Sequence, residues 1–199
     1  MYSIFYRIIQ KILLKKSIYE DFLDLLYQQN EIEHILEMGC ADSIILDKLN
    51  KNFKYTGFDI ENKFIEKSKK EHFNNPKFKF EKKSIHEIDF DKYDSKKTII
   101  LCIGIFHHVS DDYIKIFIDK TKKFKVYAID AVKCNDQNFF TKILLFLDKG
   151  KFIRQENEYK SLLDKYNFIL IRNRYLRFNY DHLISIKNLN TNDLKKILD

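Results

Sequence analysis

The chain has 199 residues, 45% hydrophobic and 15% aromatic, which is ample for one well-filled core and excludes a disordered polypeptide. Its net charge of +7 comes mostly from lysines scattered along the sequence. Scatter of this kind marks a solvated surface, whereas a nucleic-acid stripe would be clustered, so a nucleic-acid partner is disfavoured.

Residues 1–16 place Ile4, Phe5, Ile8, Ile9, Ile12 and Leu13 on one helical stripe, with Arg7, Gln10, Lys11, Lys15 and Lys16 opposite or flanking it. The run is too short to span a bilayer and no small-residue cleavage site follows. Residues 1–30 are therefore expected to form an amphipathic helical segment packed on the body of the protein. A basic face of this type also offers peripheral membrane contact.

The most informative stretch is 34–59. An apolar run, His34 to Met38, ends in Gly39-Cys40-Ala41-Asp42-Ser43, after which Ile44, Ile45 and Leu49 recur at helical spacing. Tyr55-Thr56-Gly57-Phe58 then reads as a second strand and delivers Asp59. Strand, tight small-residue turn, helix, strand and terminal acid is the arrangement by which a doubly wound sheet holds an adenosine-containing cofactor.

Alternation continues beyond Asp59. Glu61 to Phe73 reads as a helix, and Lys77 to Glu81 as a strand opened by Pro76, the only proline. Thr98 to Cys102 is continuously apolar, as in a central parallel strand covered on both faces, with His107 and His108 just past its end. A helix from about Asp111 to Lys122, a strand Lys125 to Asp130 and a helix over 136–148 follow. Two closing strand runs, Phe168 to Arg174 and Leu183 to Lys187, have no room for a crossover helix and are expected to be antiparallel. The expectation is an α/β fold: a doubly wound, mostly parallel, seven-stranded Rossmann-like sheet over 31–190 with an antiparallel C-terminal edge hairpin, and a short helix over 191–199. The three cysteines, Cys40, Cys102 and Cys134, form no CxxC pair, which fits a reducing cytoplasm.

In this order the motifs resemble those of the class I S-adenosylmethionine-dependent methyltransferases. Glu37 to Ser43 matches the family's first motif, Asp59 its ribose-binding acid, Phe80 to Phe90 the stretch after its third strand, and Leu101 to Val109 its fourth motif. The resemblance implies S-adenosylmethionine as cofactor, with Glu37 answering its aminoacyl end and Asp59 its ribose diol. Ile60 and Ile85 would sandwich the adenine, and Gly39, Cys40 and Ala41 would bring main chain to the ligand. Ser43, Ser84, Cys102 and Ile103 complete the cofactor set. Ala41 and Ser43 stand where relatives usually have glycine, and Ser43 is expected to narrow the methionine end. Ser84 replaces a frequent Asp.

His107 or His108, at the carboxyl end of the fourth strand, is the candidate proton acceptor. Arginine occurs only at positions 7, 154, 172, 174 and 177, and Arg154 is the candidate bidentate clamp for an anionic acceptor, with Tyr159 and Tyr180 beside it. The resulting expectation is a monomeric or homodimeric enzyme methylating a small, anionic or lipid-linked metabolite. A nucleic-acid methyltransferase is the alternative, weakened because Cys102-Ile103-Gly104-Ile105 stands where base methylation would want NPPY or DPPY. An inactive cofactor-binding partner subunit is a third reading.

Overall fold

The computed structural model describes residues 18–50, 52–148, 150–174 and 181–189. The expected helix at 1–16, Tyr180 and the expected C-terminal helix lie outside the described residues. In chain order the elements are α1 (Ile18–Leu26), β1 (His34–Met38), β2 (Lys54–Asp59), α2 (Asn62–Glu71), β3 (Phe78–Lys82), β4 (Thr98–Ile103), α3 (Asp111–Lys120), β5 (Lys125–Ala131), α4 (Phe139–Leu147), α5 (Glu156–Leu163), β6 (Ile169–Arg174) and β7 (Asp181–Lys187).

Seven strands form one sheet in the order β3-β2-β1-β4-β5-β7-β6. β1 lies parallel to β2 and β4, with Glu37 opposite Gly57 and Met38 opposite Cys102. β7 is antiparallel to both β5 and β6, as the closing strand runs required.

The strand sequences are continuously apolar because both faces are covered. Successive side chains go to opposite faces: Ile35, Ile99 and Leu101 pack with Phe22, Leu25 and Leu26 of α1. Leu36, Ile100 and Cys102 pack with Phe117 of α3 and Tyr159 and Leu163 of α5 on the other side. Each such side chain contributes roughly 1.5–3 kcal/mol on burial, so the two layers fix the register of the central strands.

Two local departures from the sequence reading have physical causes. After the first turn the chain forms only a 3-10 turn, Ile44–Asp47, instead of a longer helix. It ends at Asp47, and the Asn50 side chain then accepts the Asn52 N–H at 3.2 Å, a turn that Asn forms readily and that leads into β2. Conversely, α5 was not foreseen, although Gln155 and Glu158 form a reciprocal cap and Tyr159, Leu162 and Leu163 share one buried face.

Candidate active site

The carboxyl ends of β1, β2 and β4 converge where the strand order reverses, the place at which open α/β sheets bind ligands. The turn after β1 takes an alternating left-handed path: Gly39, Ala41 and Ser43 have φ of 65°, 43° and 50°. This alternation would suit glycine at all three positions, since left-handed backbone costs other residues about 1–2 kcal/mol each. A Cβ at Gly39 would lie 2.0 Å from Ile105 Cδ1, so the turn also meets the loop after β4 at very close range.

Asp59 ties the turn to β2. Its Oδ2 accepts the Ala41 N–H at 3.0 Å and its Oδ1 the Glu61 N–H at 2.8 Å, while Cys40 N–H donates to the Phe58 carbonyl at 2.9 Å. Each carboxylate oxygen keeps a lone pair for a further donor. The next residue, Ile60, is 66% exposed, an unusual position for an aliphatic side chain beside a buried acid. Ile85 is half-buried across the next turn.

Glu37 is buried and accepts the Tyr55 hydroxyl. Burial raises its pKa to about 8; the Tyr55 hydrogen bond opposes the rise and the charge of Asp59 adds to it. Cys40 packs its thiol against Gly57, where a Cβ would come within 2.8 Å of Sγ, and burial pushes that thiol up to about 12. Cys40 therefore contributes main chain and packing, not a reactive thiolate.

Four of the expected cofactor residues have partners within the protein. Ser43 is buried and its hydroxyl pairs with that of Ser68 on α2 at 3.2 Å. Ser84 uses its hydroxyl and N–H to cap the following turn on Glu87. Cys102 lies wholly within the second core layer, and Ile103 packs half-buried against the first, so neither presents an exposed side chain.

His107 and His108 have different environments. His107 Nδ1 bonds Asp130 at the end of β5, and its Nε2 lies 3.4 Å from Asp148. Burial alone would lower its pKa, but the two carboxylates outweigh burial and raise it to about 10. An imidazolium so held is a poor proton acceptor at neutral pH. His108 is exposed to solvent on one side, and partial desolvation together with the neighbouring His107 charge lowers its pKa, which favours the neutral ring at the carboxyl end of β4.

Arg154 is buried and faces inward. Its Nε and one terminal nitrogen bind Asp111 at 2.8 and 2.7 Å, and its terminal nitrogens reach the carbonyls of Phe106, Phe152 and Val109 at 2.7–3.0 Å. The planar fork fastens the segment after β4 and has no N–H left over, which corrects the reading of Arg154 as an acceptor clamp. Tyr159 is buried with its ring 5.6 Å from the guanidinium. The residues that sequence reasoning missed are Asp130 and Asp148. Asp130 was visible as an acid ending a strand beside β4, and Asp148 as the head of the segment before Gly150.

Comparison with known proteins points to methyl transfer. Residues 35–130 match the family model described as a methyltransferase domain. Over this stretch, just under half of the chain, it is similar to methyltransferase domains. No curated protein sequence matches it. Among solved structures, a Nostoc punctiforme protein named as a candidate O-methyltransferase is 15% identical, with a TM-score of 0.62, over 84% of this chain and 55% of that one. The CMeT domain of a citrinin polyketide synthase is 16% identical over 83% and 50%, with a TM-score of 0.60. Magnesium protoporphyrin IX methyltransferase from Synechocystis, solved with bound SAH, is 14% identical over 84% and 81%, with a TM-score of 0.60. The chain thus spans about half the length of the first two relatives, and at these identities the likeness speaks for the fold.

The residues present fit the family's cofactor. Asp59 has acceptor capacity for a diol, the turn over 39–43 brings main chain forward, and exposed Ile60 offers an apolar platform beside the acid. S-adenosylmethionine, when bound, supplies an activated methyl; the protein's task is alignment.

Proposed function

We propose that this methyltransferase methylates a small acceptor with an apolar, lipid-like body, presented at the carboxyl end of β4. The observation that carries the acceptor class is the outer face of α4, where Phe139, Phe146 and Leu147 are 78%, 87% and 67% exposed. α4 runs directly into Asp148, which contacts His107, so an apolar surface adjoins the end of β4. Exposed patches of this kind mark sites of apolar contact on soluble folds. With Arg154 engaged internally, support shifts from the anionic to the lipid-linked form of the expectation.

The charge pattern does not favour nucleic acid, because lysines remain dispersed among surface ion pairs such as Lys67–Asp42, Lys97–Glu33 and Lys125–Glu31. Peripheral membrane contact through this apolar face accompanies the same reading. Among the described residues no helix is long and apolar enough to cross a membrane.

Methyl-labelled S-adenosylmethionine incubated with the protein and fractionated cell extract tests this. Label entering the organic-soluble fraction supports the reading. Label entering RNA, or only water-soluble polar products, overturns the acceptor class.

A further inference from the structure

The double histidine after β4 and the segment beginning at Asp148 come together at one point. His107, His108 and Asp148 each offer one donor atom, all within 4.8 Å of one another. The His107 and His108 rings lie with centroids 4.1 Å apart, and His107 Nε2 is 3.4 Å from Asp148 Oδ1. Zinc bonds of about 2.0–2.1 Å give a tetrahedron with edges of roughly 3.3–3.4 Å, so this pair already stands at the spacing of two ligands on one ion.

Two further observations point the same way. Asp130 takes the His107 Nδ1–H, fixing the ring's orientation and turning Nε2 outward, where a bound ion would displace its proton, as at imidazoles backed by carboxylates. Asp130 is itself held by the Phe106 and His107 N–H groups at 2.6 and 3.2 Å. In addition, a Cβ at Gly150 would lie 2.1 Å from His107 Cδ2, so the absence of a side chain there lets the loop carrying Asp148 cross the imidazole face.

We propose that His107, His108 and Asp148 bind a divalent transition-metal ion of the zinc type. Two imidazoles and a carboxylate suit such an ion better than magnesium or calcium, which prefer oxygen donors. Three protein ligands leave at least one position for water or an acceptor oxygen. His108's lone pair then serves the ion, and acidity of an acceptor hydroxyl is raised by the cation instead of by a side-chain base. That catalytic use rests on the methyl-transfer reading; the binding of the ion does not. The other nearby cluster, Cys134, Asp136 and Asp181, is unsuited because Arg172 places its guanidinium 2.6 Å from Asp136 and 3.0 Å from Asp181.

The test is calorimetric titration of Zn²⁺ into full-length protein stripped with chelator and exchanged into chelator-free buffer. One ion per chain is expected, with affinity falling at least about tenfold in His108→Ala and in Asp148→Asn and unchanged in Cys134→Ser. His108 is exposed, so its replacement tests the site without breaching the core. Thermal melts of both variants establish that they fold. Absence of stoichiometric binding, or binding indifferent to both His108→Ala and Asp148→Asn, overturns the proposal. A parallel titration with S-adenosylhomocysteine separates this failure from failure of the methyltransferase reading, since either ligand can bind without the other.

Discussion

The Asp59 carboxylate accepts the Ala41 N–H at 3.0 Å across 18 residues of sequence, joining the end of β2 to the turn after β1. One acid thereby shapes the turn and stands ready for a ribose diol. Asp59→Ala is expected to weaken S-adenosylhomocysteine binding by about 1.5–3 kcal/mol, the scale of a lost charge-assisted hydrogen bond, and to speed amide exchange at Ala41. Calorimetry and hydrogen exchange read the two effects. Unchanged affinity would separate Asp59 from the cofactor.

Glu37 gives the fold a distinctive pH response. Its folded pKa of about 8 lies above the usual 4.5, so the neutral carboxyl is the form the core favours. The associated stability is fully present below about pH 4.5 and is lost as pH rises through about 8. Glu37→Gln, which keeps an acceptor for the Tyr55 hydroxyl, is expected to flatten the decline in melting temperature across this window and to melt above wild type near pH 9. Parallel melting curves in both backgrounds would count against a buried, protonatable Glu37.

How much was legible in the sequence follows from what each feature depends on. The order of the strands, the antiparallel closing strands and the tip of β2 at Asp59 depend on local pattern, and were readable. So was the importance of positions 39, 41 and 43, although their shared left-handed backbone emerges only from the structure. The length of the segment after Ser43 was misjudged because apolar spacing does not reveal the side-chain turn at Asn50. The role of Arg154 was misjudged for a deeper reason. Its partners Phe106, Val109 and Asp111 lie more than 40 residues away and, except for Asp111, offer main-chain carbonyls that no sequence pattern marks. Likewise, nothing in an isolated His-His pair tells which ring is clamped by Asp130 and Asp148 and which is exposed.

Arg154 should behave as an internal fastener. Removing it strands the buried Phe106 carbonyl and leaves those of Val109 and Phe152 without their partner in a half-buried setting, while Asp111 is largely exposed and recovers solvent. Arg154→Ala is expected to cost about 2–4 kcal/mol of stability, and Arg154→Lys a smaller but measurable amount because an ammonium cannot reproduce the fork. Denaturant unfolding checks both. Arg154→Lys with wild-type stability and severely reduced turnover would restore it as an acceptor clamp.

Ala41 offers the opposite sign. At φ 43° its Cβ is strained, and a glycine would relieve about 1–2 kcal/mol while losing roughly 0.5–1 kcal/mol to unfolded-chain entropy. Ala41→Gly is therefore expected to raise the melting temperature by a few degrees and to preserve ligand binding. A lower melting temperature would show that the turn is relaxed as it stands.

The most direct test of the account is a crystal structure of the protein saturated with S-adenosylhomocysteine. The expected complex has the ribose diol on Asp59, the adenine between Ile60 and Ile85, and the sulfur above the turn at Gly39 facing the end of β4. Ligand found instead in the surface groove beside His72, Phe78 and Phe80, or no bound ligand at saturating concentration, would contradict the assignment of this crevice as the cofactor site.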